Sequence, residues 1–146
     1  MDTVAVGADH AGLELKEGIK KMLAQMGLRV EDYGCMSKES VDYPDFAKVV
    51  AEAVASKKAQ AGILICGTGI GMCITANKVA GIRAALVHDV FTAKMSREHN
   101  DANVLCLGAK VVPANKVEEI VKTWFATRFE GGRHERRIGK IERLDH

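Results

Sequence analysis

Apolar and polar positions switch between two periods along the whole chain. Val4-Ala5-Val6 is a short apolar run, followed by the turn-rich stretch Gly7-Ala8-Asp9-His10-Ala11-Gly12. Leu15, Ile19, Met22, Leu23 and Met26 then recur at i, i+4, i+7, i+8 and i+11, one face of an amphipathic helix. Gly27 follows where a helix C-cap glycine belongs. A second strand is predicted over 29–33. Phe46, Val49, Val50, Ala53 and Val54 stripe a second helix, with Pro44 near its first turn. Ile63-Leu64-Ile65 is uniformly apolar, as expected of a strand buried on both faces of a parallel sheet.

The same alternation continues to the end. A glycine-rich turn leads to a third helix over 72–79, a fourth strand over 83–87 and a fourth helix over 91–99. Val104-Leu105-Cys106-Leu107 is the fifth strand, and Val117, Ile120, Val121, Trp124 and Phe125 stripe a fifth helix. Five β-α pairs predict a Rossmann-like, doubly wound parallel five-stranded sheet with helices on both faces, a three-layer α/β/α sandwich. No linker, repeat or low-complexity stretch interrupts it, so residues 1–146 are expected to form a single domain.

Composition narrows the functional classes. The 146 residues are 47% hydrophobic with a net charge of +2, too apolar and too neutral for a disordered chain. No apolar run reaches the roughly 18 residues of a membrane span, and the first residues show neither the basic region nor the cleavage site of a signal peptide, so none is expected. Cys35, Cys66, Cys73 and Cys106 show no metal-ligand spacing, so reduced thiols and a cytoplasmic location are expected. The charge is local. Residues 128–146 hold six basic and four acidic side chains, and the rest of the chain has fifteen of each sign. That segment reads as an anion site or as a solvated helix.

Ligands of doubly wound sheets bind beyond the carboxyl ends of the strands. Cys66-Gly67-Thr68-Gly69-Ile70-Gly71 is therefore the first turn of interest. Three glycines at a helix start let backbone N–H groups converge on an anion, although neither a dinucleotide fingerprint nor a Walker loop is present. Cys66 sits at the strand end, beside the helix N-terminus, where a thiolate is favoured. Cys35, Cys73 and Cys106 read as small buried hydrophobes. Asp9-His10 suits sugar hydroxyls or a phosphate, and equally an N-cap with a solvated histidine. Ser96-Arg97-Glu98-His99-Asn100-Asp101 closes a helix, so His99 is either a proton donor or part of a capping cluster. In a helical tail Arg133 and Arg137 share one face and can fork a phosphate. No aromatic residues interleave with these bases, which argues against nucleic acid.

These segments together resemble the ribose-5-phosphate isomerase B/galactose-6-phosphate isomerase family. The resemblance rests on Gly7–Gly12, Ser40–Pro44, Gly62–Gly71, Ala76–Lys78, Gly81–Ala84, Ser96–Asn103 and Glu130–His134, in order along nearly the whole chain. It implies an aldose–ketose isomerase without cofactor or metal, acting on a small sugar phosphate. It further implies a homodimer, or a dimer of dimers, whose active sites are completed by the partner subunit. By the resemblance Cys66 is the base that removes the proton beside the carbonyl. Gly67, Gly69, Ile70 and Gly71 are the anion hole, and Thr68 moves a proton between the enediolate oxygens. His99 is the acid that opens the furanose ring, with Asn100 beside it, both donated across the dimer. Asp9, His10 and Tyr43 contact the sugar, and Arg133 and Arg137 clamp the phosphate. Lys110 stands where the family commonly has arginine, which keeps the charge and loses the bidentate fork.

The expected reaction is ribose 5-phosphate ⇌ ribulose 5-phosphate through a cis-enediolate. The rivals are an isomerase of six-carbon phosphates such as allose 6-phosphate or galactose 6-phosphate, and a non-catalytic sugar-phosphate binding module. No nucleic-acid or membrane partner is expected.

Overall fold

A computed structural model describes residues 2–145. The chain alternates β1 (Thr3–Ala8), α1 (Leu13–Gln25), β2 (Arg29–Asp32), α2 (Tyr43–Ala55), β3 (Ala61–Cys66), α3 (Ile70–Ala76), β4 (Ala84–Leu86), α4 (Val90–Glu98), β5 (Val104–Gly108), α5 (Val117–Ala126) and α6 (Arg133–Glu142). The strands form one sheet in the order β2-β1-β3-β5-β4, and every neighbouring pair is parallel. This is the three-layer, Rossmann-like α/β/α fold that the alternation predicts.

The strands' period of two sorts the core into two halves. Val4, Val6 and Ala8 of β1, Ile63 and Ile65 of β3, and Leu105 and Leu107 of β5 pack with Ile19 and Leu23 of α1, Ala93 of α4, and Ile120 and Trp124 of α5. Ala5, Leu64, Val104 and Cys106 face the other way, against Val50 and Val54 of α2 and Met72 and Ala76 of α3. Each fully buried Ile or Leu contributes about 1.5–3 kcal/mol of transfer free energy. A Cβ on Gly62 would stand 2.9 Å from Val50 Cγ1, so a bare backbone at that point is what lets α2 settle on the sheet.

Two boundaries differ from the sequence expectation. The third helix starts at Ile70 and ends at Ala76, ahead of the predicted 72–79. Gly69, at φ +81°, turns the chain into the helix immediately, and the Asn77 side chain leaves it to accept from the Ala84 N–H at 2.8 Å. The fourth strand is correspondingly three residues long, because Asn77 and Asn103 satisfy Ala84 and Arg83 N–H groups on the sheet edge.

The most deeply buried charge among the described residues belongs to Lys16. Lys16 is fully buried, with Nζ donating to both carboxylate oxygens of Asp32 at 2.6 and 2.8 Å and to the Cys35 carbonyl at 2.8 Å. Burial pushes the Asp32 carboxyl up, but hydrogen bonds from Lys16, Lys20 and the Gly34 N–H outweigh it and hold the group below its ordinary range. The pair ties α1 to the end of β2.

α6 is fastened to the sheet edge through side chains. Arg83, at the start of β4, pairs with Glu142, and the Gly81 N–H donates to Asp145 at 2.9 Å. His134 is buried, with its ring stacked on His99 at the C-terminal cap of α4.

Candidate active site

The carboxyl ends of β1, β3 and β5 converge on the turn Cys66–Gly71. Cys66 is buried as the last residue of β3, and its Sγ accepts a hydrogen bond from the Gly69 N–H at 3.1 Å. Gly69 has two reasons to be glycine. Its φ is +81°, and a Cβ would lie 2.6 Å from Leu86 Cδ1 and 2.9 Å from the Leu107 carbonyl carbon. Thr68 is exposed at the crest, where its Oγ1 accepts from the Ile70 N–H at 3.2 Å and leaves its own O–H free to donate. Ile70 is half exposed, at 51%.

The remaining walls are set by close approaches. The Lys110 side chain crosses Gly67, since a Cβ there would be 3.7 Å from Lys110 Cδ. The Lys110 N–H donates to the Gly67 carbonyl at 3.0 Å, which pins the loop after β5 to the turn after β3. Tyr43, the first residue of α2, lies against Gly71, and a Cβ on Gly71 would fall 2.3 Å from the phenol ring.

The β1 turn completes this group. Asp9 is buried, and its Oδ1 accepts from the N–H groups of Ala11 at 3.0 Å and Gly12 at 3.2 Å. Both bonds fall on Oδ1, so the capping role and a free Oδ2 coexist. His10 Nδ1 accepts from the Val41 N–H at 3.1 Å, which leaves Nε2 as the donating nitrogen of the ring. Asp9, His10, Tyr43, Cys66–Gly71 and Lys110 thus share one end of the sheet.

His99, Asn100, Arg133 and Arg137 are elsewhere. A crossover helix runs antiparallel to its strands, so His99, which caps the C-terminal end of α4, lies at the amino end of β5. There the Asn100 carbonyl accepts from Arg83 Nε at 3.0 Å. Six-residue β3 spans about 20 Å, so in one chain the two groups stand at opposite edges of the sheet. Arg133 and Arg137 are exposed on α6, i and i+4, beside the His99–His134 stack. The stack has centroids 4.2 Å apart and 12° between the rings. Burial, reinforced by His99 and the neighbouring Arg133, pushes the His134 imidazole below its ordinary value.

Cys73 departs from the expectation of an inert buried thiol. It is only half buried, and hydrogen bonding with Cys106 lowers it to about 7, against the upward push of burial. Cys106, fully buried, is pushed up through the same contact and by burial, so it keeps the proton. Cys35 and Cys106 are buried as expected. The Cys73 contact and the His134 stack link segments distant in sequence, and no local pattern announces either.

The chain from residue 4 to residue 141 matches the family model described as Ribose/Galactose Isomerase. It is 45% identical to the ribose-5-phosphate isomerase B of Escherichia coli (strain K12), over 99% of this chain and 97% of the relative. It is 46% identical to the D-erythrulose-4-phosphate isomerase of Pectobacterium atrosepticum, over 100% of this chain and 97% of the relative. Among solved structures, the ribose-5-phosphate isomerase B of Clostridium thermocellum superposes with a TM-score of 0.96 at 51% identity, covering 97% of this chain and 96% of that one.

Proposed function

The chain belongs to the ribose/galactose isomerase family, and we propose that it is the aldose–ketose isomerase that interconverts D-ribose 5-phosphate and D-ribulose 5-phosphate. The observation that carries this reading is the Cys66 thiol, held at the mouth of the glycine turn by the Gly69 N–H and bordered by Lys110, Tyr43 and Asp9. That is the arrangement needed to remove a carbon-bound proton and hold the resulting oxyanion.

In this mechanism His99 of a second copy protonates the ring oxygen and releases the open-chain aldose. Cys66 thiolate takes the C2 proton, and the electron pair moves into a cis-enediolate. The Gly69 N–H is occupied by the thiol and the Ile70 N–H by Thr68, so the enediolate falls to Gly67 and to Gly71 in the unpaired first turn of α3. The Thr68 hydroxyl shuttles a proton from O2 to O1, and Cys66 returns its proton to C1. Asp9 Oδ2 and His10 Nε2–H orient sugar hydroxyls, and Tyr43 closes the wall. Arg133 and Arg137 of that second copy take the phosphate with Lys110, and this remote binding energy orients the reacting carbons.

The placement of the two residue groups at opposite sheet edges supports a homodimer with shared sites. Ile70 and Ile74, exposed at 51% and 60% on one face of α3 beside the turn, supply apolar surface for such contact. Reduced thiols and the absence, among the described residues, of a helix long and apolar enough to cross a membrane agree with a cytoplasmic metabolic role.

The relative named D-erythrulose-4-phosphate isomerase favours a second reading, in which the same site takes a four-carbon phosphate. Comparing kcat/KM for ribose 5-phosphate, allose 6-phosphate and D-erythrulose 4-phosphate decides between them. The proposal expects ribose 5-phosphate to lead, and a tenfold or greater preference for either other sugar overturns it.

A further inference from the structure

We infer that His99, Glu130 and His134 form a regulatory site for a divalent transition metal of zinc-like chemistry. The ion would switch off the ring-opening acid without taking part in the isomerisation. That inhibitory half rests on the function proposed above; the binding half does not.

The three residues converge from different segments: the C-terminal end of α4, the loop before α6, and the first turn of α6. One ligand-capable atom from each lies within 4.8 Å of the others. Two imidazole nitrogens and a carboxylate oxygen, with a fourth position open to water, make a donor set suited to zinc.

A second observation points to a missing partner. His134 is 95% buried and its Nε2 has no hydrogen bond, although buried polar nitrogens almost always find one. Glu130 Oε1 lies 3.8 Å from this nitrogen, too far to bond and open enough to admit an ion. The rings of His99 and His134 lie face to face, 4.2 Å apart and 12° from parallel, so both tilt out of the stack when their nitrogens meet one ion. Glu130 is held in place by its own N–H donating to the Glu98 carbonyl at 2.9 Å, and its exposed carboxylate leaves an entry path. The ion must displace Arg133, 4.0 Å from Glu130 and 58% exposed, a contact of little weight.

Metal bound at His99 holds the imidazole that donates the proton to the sugar ring and replaces its acidic proton. The test is calorimetric titration of the intact wild-type protein with Zn2+, beside its His134→Gln and Glu130→Gln variants and a Cys73→Ser control. We expect one Zn2+ per chain, with affinity falling roughly tenfold or more in both His134→Gln and Glu130→Gln and unchanged in Cys73→Ser. Isomerisation of ribose 5-phosphate should fall as the site fills and return with EDTA. Unchanged binding in both variants, loss of binding in Cys73→Ser, or no wild-type binding below about 1 mM overturns the site. Binding at the site with undiminished turnover overturns the regulatory role. A protein that binds Zn2+ as described but turns over no sugar phosphate overturns the proposed function and leaves the site standing.

Discussion

The thiol of Cys66 and the backbone N–H of Gly69 face one another at 3.1 Å across a single turn. The bond points one sulfur lone pair at the loop and leaves the thiol at the carboxyl edge of β3. Replacing Cys66 by Ala removes the base and little else, because an alanine fits the buried strand end. Cys66→Ala is expected to lower kcat by roughly 10²–10⁴-fold or more while substrate binding by calorimetry stays within about threefold. Turnover near the wild-type value would remove Cys66 from the mechanism. Mutagenesis is the right instrument, since Cys73, at about 7, competes with Cys66 for any alkylating reagent.

Tyr43 and Gly71 form the tightest wall. A methyl group at Gly71 would sit 2.3 Å from the ring and must drive the phenol outward. Gly71→Ala should therefore raise KM for ribose 5-phosphate, and Tyr43→Ala should absorb most of that effect. A double-mutant cycle with strictly additive losses would contradict the contact.

Shared sites predict rescue between two inactive variants. His99→Asn and Cys66→Ala each spoil every site in their own dimers, but a mixed dimer carries one intact site and one doubly damaged site. Unfolding and refolding an equimolar mixture should restore about a quarter of wild-type activity if subunits assort at random. A mixture no more active than its components would place His99 and Cys66 in independent roles.

The buried Lys16–Asp32 pair predicts asymmetric losses of stability. Asp32→Asn strands a fully buried ammonium and should cost about 3–5 kcal/mol in urea unfolding. Lys16→Met removes that charge, leaves Lys20 on Asp32 at 2.8 Å, and should cost less. The folded pKa of Asp32 is depressed, so its contribution is complete above its unfolded value near pH 4 and fades as pH falls through the folded value. Wild type should lose stability below about pH 4 more steeply than Asp32→Asn. Equal slopes would show that the carboxylate is not favoured in the folded state.

The alternation of periods along the chain was sufficient for five strands, their helices and the end of the sheet that carries the glycine turn. Gly69 was legible as a turn glycine, though not that Leu86 and Leu107 would also exclude its Cβ. Lys16 was not readable as buried, because a lysine next to an apolar stripe looks solvated until Asp32 is seen opposite. The site residues were legible one by one through the family resemblance. The resemblance also implies that His99 and Asn100 come across the dimer; the grouping of Arg133 and Arg137 with them at the amino end of the strands is set by where α6 packs, and no local spacing records it. His134 was missed as a site member for the same reason: its partners lie on another helix.

The central claim is that this chain moves a proton between C2 and C1 of a pentose phosphate. Incubating it with ribose 5-phosphate in D2O and following the C2 proton signal tests that directly. The account predicts loss of the ribose C2 proton signal as ribulose 5-phosphate forms, with deuterium appearing at C1 of the product in the fraction of turnovers in which the Cys66 thiol exchanges with solvent before returning its proton, and with both processes lost in Cys66→Ala. Ribose 5-phosphate that binds, keeps its C2 proton and yields no ribulose 5-phosphate would contradict it.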